Sequence, residues 1–245
     1  MTTGQPATTA PALTVPGFGA NLYRQLRDRA VIESAVVAVV LIGVSYVIAL
    51  AAGWVQTLNW LEVFAVVTSF SCTYLCVKQR RLNYPIGAIS TAAYAVLFWQ
   101  QELVASALLN AYLTPALVYG WFRWRADEQT RPVGFVALRW WPAYIAVTAL
   151  AYFGASALVK ALGGQMAPTD AAILIGTMLA QFLLDNKRIE TWAVWAVVNV
   201  AAIYTYFEAG LPLAGFQYVF FLGNTLYGAY SWRQSMAAQR TKVTA

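Results

Sequence analysis

A 245-residue chain that is 60% hydrophobic and only 11% charged is too apolar for a soluble domain, in which about 25% of residues carry charge. Its net charge of +6 is spread between apolar runs, which fits membrane topology and not a nucleic-acid surface. The absence of histidine excludes imidazole metal ligands and histidine acid–base catalysis, and neither a metal nor a cofactor is expected.

Backbone facing lipid must satisfy its own hydrogen bonds, which leaves helices or a closed barrel. The apolar runs are about 20 residues long and do not alternate, so an all-α membrane protein is predicted. Residues 1–30 form an N-terminal segment on the cytoplasmic side. Its first part is rich in Thr, Pro, Ala and Gly and is expected to be disordered, and 21–29 forms a short arginine-bearing helix. Eight spans follow, near 31–53, 59–77, 83–100, 103–122, 138–161, 169–185, 190–208 and 211–231, and 233–245 is a cytoplasmic tail. Cys72 and Cys76 fall inside the second span and read as buried thiols, neither disulfide nor zinc site. Trp54, Trp60, Trp121 and Trp124 lie at span ends, where interfacial belt residues are expected.

Placing the N-terminus inside puts 15 of the 16 basic residues inside, with Lys160 alone outside. A bias that one-sided predicts eight spans with both termini cytoplasmic.

The chain also matches itself weakly when shifted by 108 residues. Arg80 falls on Arg188, Leu75 on Leu183, Tyr119-Gly120 on Tyr227-Gly228 and Trp124 on Trp232, and the turns Gln101-Glu102-Leu103 and Ala209-Gly210-Leu211 coincide. The period holds an even number of spans, so the two copies point the same way across the membrane. A parallel repeat of this kind places its site near mid-bilayer between the copies.

One stretch carries the functional reading. Asn186-Lys187-Arg188-Ile189-Glu190-Thr191 is a charged turn that runs into an apolar helix, on which Trp192, Trp195 and Asn199 share one face at i, i+3 and i+7. Two indoles and an amide suit a flat, polar, aromatic ligand. The alternative is that the indoles form a belt and the amide bonds a neighbouring helix. The repeat equivalents Tyr84, Gly87 and Thr91 are smaller or hydroxylic, an asymmetry suited to an asymmetric ligand. Polar residues inside spans are costly and often functional, so Thr68, Thr91, Tyr94, Asn110, Gln217, Tyr218 and Asn224 join Trp192, Trp195 and Asn199 as candidate substrate contacts. No carboxylate falls in the middle of a span, which argues against proton or sodium coupling.

These residues resemble the PnuC transporters. The Asn83-Tyr84-Pro85-Ile86-Gly87 opening, the Gln101-Glu102-Leu103 turn, the Tyr119-Gly120-Trp121-Phe122-Arg123-Trp124 close and the Glu62 start of the second span resemble that family's first half. Lys187-Arg188-Ile189-Glu190-Thr191-Trp192-Ala193-Val194-Trp195 with Asn199 is similar to its second half. The resemblance covers about 59–233 and implies a seven-helix, SWEET-like 3+1+3 core. That core would be a first bundle at 59–124, a linking helix at 138–161 and a second bundle at 169–232, with 31–53 as an extra helix. It implies facilitated diffusion of nicotinamide riboside across the bacterial inner membrane, with trapping by cytoplasmic phosphorylation. The partners implied are that substrate, the bilayer and further copies of the chain in a homo-oligomer such as a trimer. Other cargo on the same fold would be thiamine, riboflavin or a sugar. Outside transport, the alternatives are a membrane scaffold and a membrane enzyme. The lack of histidine and of a mid-span acid argues against the enzyme.

Overall fold

The structure is a computed structural model that describes residues 28–54, 59–100, 104–124, 132–161, 167–208 and 212–244. The expectations for residues 1–27, for the turns 101–103 and 209–211, and for Arg125 and Arg131 lie outside the described residues. Within them the chain is all-helical, with eight α-helices and a single isolated β-bridge.

The helices are α1 (Arg29–Ala51), α2 (Trp60–Val77), α3 (Asn83–Gln100), α4 (Val104–Arg123), α5 (Trp141–Ala161, entered by a 3-10 turn at Leu138–Trp140), α6 (Ala167–Asp185), α7 (Thr191–Glu208) and α8 (Pro212–Thr244). The starts are locally encoded. Asp28 caps α1 by accepting from the Ala30 N–H at 2.9 Å, and Asn59 caps α2 by accepting from Leu61 and Glu62. Pro85 occupies the first turn of α3, where its missing N–H costs nothing. The last helix continues past the predicted span end at 231 to Thr244, through most of the expected tail.

Packing follows the chain. α2, α3 and α4 pack in sequence, as do α6, α7 and α8; α1 leans on α2, and α5 on α6. Between the two sets, α2 meets α8 and, more lightly, α4 meets α6. None of α5 is buried, and Ile145, Leu150 and Phe153 are more than 60% exposed. An outer surface this apolar is stable only where lipid solvates it. Among the described residues, three stretches are long and apolar enough by length and composition alone to cross a membrane: Arg29–Ala51, Trp60–Val77 and Leu138–Ala161. Several of the other helices carry the polar residues that face the interior, which lowers their hydropathy.

The two sets carry matching features at the 108-residue spacing. Gln79 and Lys187 are the non-glycine residues with positive φ among those described, at 54° and 49°, and each follows the end of the first helix of its set. Trp124 and Trp232 are both buried. Tyr84 packs on Gly120 as Trp192 packs on Gly228. Tyr84 meets Trp124 edge-on at 5.2 Å, and Trp192 meets Trp232 the same way at 5.3 Å. Trp124 is therefore no belt residue. It is 2% exposed, and its Nε1 donates to the Asp185 carbonyl. A tryptophan at a helix end shows its depth from sequence, not the side it faces.

Candidate functional site: a polar aromatic chamber between the two helix sets

A chamber of about 200 Å³ lies between the sets, lined by thirteen residues from each. That is below the range of about 300–1,000 Å³ usual for drug-sized ligands, so only a small molecule fits. Eleven pairs of lining residues are equivalents at the 108-residue shift, among them Ser69 and Thr177, Thr73 and Gln181, Gly87 and Trp195, Thr91 and Asn199, Asn110 and Tyr218. Within several pairs the second set bears the larger or more polar group: Gly87 against Trp195, Leu109 against Gln217, Leu117 against Thr225. Among the described residues no charged side chain lines the space.

Nine of the ten candidate residues are in the wall: Thr91, Tyr94, Asn110, Trp192, Trp195, Asn199, Gln217, Tyr218 and Asn224. Thr68 is not. Its hydroxyl donates to the carbonyls of Phe64 and Ala65 in its own helix, and its neighbour Ser69 faces the chamber instead. One helical position turns a side chain by about 100°, enough to move it off the lining face. The sequence reading also missed Thr177 and Gln181, four apart on α6, and Thr73 on α2. Their signal was present as hydroxyls and an amide spaced along one face of apolar helices.

The two tryptophans are not equivalent. Trp192 is 5% exposed. Its six-membered ring lies against Gly228, and its Nε1 has no partner among the described residues. Trp195 is half-buried in the wall and packs against the cluster of Ile173, Val198 and Ala202. Asn199 is buried and donates from Nδ2 to Thr225 Oγ1 at 2.9 Å, which fixes its amide and leaves the carbonyl oxygen to accept. Thr91 and Thr114 share a hydrogen bond at 2.9 Å. Across the chamber, Gln217 Nε2 donates to Tyr94 Oη at 2.7 Å, and Tyr94 stacks on Phe98. Tyr218 stacks on Tyr206. Asn110 Nδ2 bonds the Ser106 carbonyl of its own helix, while the amide of Asn224 bonds no described residue. Cys72 and Cys76 are free thiols in the same wall.

The charged turn before α7 is structural. Arg188 Nη1 donates to the Phe135 carbonyl, and Glu190 Oε1 accepts from the Val136 N–H. With the Gly134–Arg188 bridge they fasten the segment entering α5. Lys187 is buried, with Nζ 4.8 Å from the centre of the Trp124 ring.

An uncharged chamber walled by aromatic rings, hydroxyls and amides, inside an all-helical protein with an apolar exterior, defines a membrane carrier or receptor for a small neutral or cationic molecule. The chain belongs to the nicotinamide mononucleotide transporter family, whose model matches residues 59–234. It is similar to the nicotinamide riboside transporter PnuC of Escherichia coli (23% identical over 208 residues, 73% of this chain and 87% of that one). It is also similar to the PnuC of Haemophilus influenzae (28% over 196 residues, 76% and 85%). The riboflavin/roseoflavin transporter RibM of Streptomyces davaonensis is 25% identical over 185 residues, covering 72% and 86%. A crystal structure of the vitamin B3 transporter PnuC superposes with a TM-score of 0.67 at 22% identity, covering 89% of this chain and 97% of that one, and so shares the fold.

Proposed function

We propose that the chain carries nicotinamide riboside across a bacterial inner membrane by facilitated diffusion, through a SWEET-like 3+1+3 parallel repeat in which α2–α4 and α6–α8 are the bundles, α5 the link and α1 an addition. Both termini are cytoplasmic on this reading, and copies of the chain assemble as a homo-oligomer such as a trimer. The observation that carries the substrate is the chamber's chemistry. It offers indole and phenol rings to a pyridinium, hydroxyls and amides to a ribose and carboxamide, and, among the described wall residues, no cation to a phosphate. A buried phosphate without a basic partner is strongly disfavoured, so the nucleoside is favoured over the nucleotide. In the chamber Trp195 stacks on the pyridinium and Trp192 walls its flank. Asn199, Asn110 and Asn224 serve the carboxamide and ribose, and Thr91, Tyr94, Gln217 and Tyr218 complete the wall. Outside the chamber, Thr68 does not contribute. The absence of a carboxylate from the described wall supports uncoupled movement, with phosphorylation in the cytoplasm trapping the product.

The test is uptake of labelled nicotinamide riboside into vesicles. Trp195→Ala should weaken apparent affinity roughly 2–30-fold, the equivalent of a cation–π contact of about 0.5–2 kcal/mol. Unchanged affinity would remove Trp195 from the site. A riboflavin reading is kept alive by the resemblance to RibM. Competition decides it: nicotinamide riboside should displace the label, while riboflavin, thiamine and nicotinamide mononucleotide should not.

A further inference from the structure

We infer that the chamber is shut at the end bearing the basic turns by a polar latch between the helix sets, and that Gln181 ties this latch to the chamber wall. This rests on the reading of the chain as a carrier. Gln79 and Lys187 are equivalents at the 108-residue shift, and they touch: Lys187 Nζ donates to Gln79 Oε1 at 3.5 Å. Two equivalent residues in contact must straddle the axis that relates their sets. Beside them, Tyr84 Oη of the first set donates to Asp185 Oδ1 of the second at 2.8 Å. Trp124 Nε1 donates to the Asp185 carbonyl at 3.1 Å, and Arg123 donates to Asn186 Oδ1 at 3.2 Å. Asp185 and Lys187 are 6% and 1% exposed.

Buried charges of this kind cost more than apolar packing would, unless partners hold them. A permanent seal needs none of them. A seal that must part does, because its groups can trade protein partners for water when it opens. The latch is also one-sided. Val77 stands where Asp185 does in the other set, and the Nε1 atoms of Trp192 and Trp232 have no partner there among the described residues. The link to the chamber is Gln181. It lines the wall, and its Nε2 donates at 2.8 Å to the same Asp185 oxygen that Tyr84 uses. A ligand that draws Gln181 into the chamber therefore removes one of two hydrogen bonds from the carboxylate that clasps the first set.

Cys76 reports on this, since it is 8% exposed at the chamber wall and belongs to the apolar cluster that contains Tyr84 and Trp124. In a Cys72→Ser background Cys76 is the sole thiol. An impermeant maleimide applied without ligand to the face bearing the basic turns should label it slowly. Tyr84→Phe keeps the ring against Gly120 and removes one bond, and Gln181→Leu removes the other. Each should speed labelling about 2–10-fold, as the loss of one hydrogen bond implies, with the opposite face showing no such gain. Labelling from the basic face no faster in both variants than in the parent would overturn the latch. If labelling rises but nicotinamide riboside is not carried, the latch stands and the substrate assignment falls.

Discussion

Gly228 and Gly120 show how single residues set the chamber. A Cβ on Gly228 would lie 2.4 Å from Trp192, and one on Gly120 would meet the Tyr84 ring still more closely. Neither ring can retreat, since each is also wedged edge-on against a buried tryptophan. Gly228→Ala should therefore destabilise the protein by about 1–3 kcal/mol, the usual cost of overpacking, and should also weaken ligand affinity by tilting Trp192. Melting in detergent and ligand binding on the same sample check both. A stable variant with wild-type affinity would show that Trp192 need not be held where it is. Gly223 is on the same helix, and a Cβ there would meet nothing within 4 Å. Gly223→Ala should accordingly be close to neutral, which separates the packing effect from the general loss of a helical glycine.

At the scale of elements, α1 is tied to α2 by reciprocal bonds. Tyr74 Oη of α2 donates to Glu33 of α1 at 3.0 Å, and Tyr46 Oη of α1 donates to Glu62 of α2 at 3.3 Å. Asp28 pairs with Arg80 at 3.1 Å. Between these ends Ala38, Ile42 and Tyr46 pack with Val66 and Phe70, and Phe220 and Phe221 of α8 join them. No described α1 residue lines the chamber. Removing residues 1–58 should lower the melting temperature while leaving nicotinamide riboside affinity within about threefold, less than the tenfold that 1.4 kcal/mol represents. Binding lost from a deletion variant that still folds would give α1 a part in the site. The polar hydrogen bonds contribute less here than the apolar contact, because such bonds in membranes average about 0.6 kcal/mol each. Tyr74→Phe alone should shift melting only slightly.

For the molecule as a whole, the arrangement of two matching sets around an uncharged space makes a kinetic prediction. Vesicles containing the protein should fill with labelled nicotinamide riboside until inside and outside concentrations are equal. Imposed proton or sodium gradients should leave that end point unchanged, because no described wall residue binds either ion by charge. Accumulation above the outside concentration would show coupling and overturn the uniport reading. A trapping kinase sealed inside with ATP should raise total label without raising the free nucleoside.

Much of this was legible in the sequence because hydropathy and helical spacing act locally. The eight helices follow from the apolar runs. That Trp192, Trp195 and Asn199 share one face follows from i, i+3, i+7 geometry. The match of Trp124 to Trp232 and of Tyr119-Gly120 to Tyr227-Gly228 follows from a repeat that is visible in the sequence. What the sequence could not supply were facts that depend on partners far along the chain. Trp124 reads as a belt residue until Asp185, 61 positions away, is brought beside it. Gln181 disappears in an apolar run until α6 is rotated against the chamber, and Thr68 and Ser69 trade places by a single turn angle. Periodicity says which residues share a face. Only the packing of one helix set against the other decides which face meets lipid, which meets the ligand, and where a buried charge finds its partner.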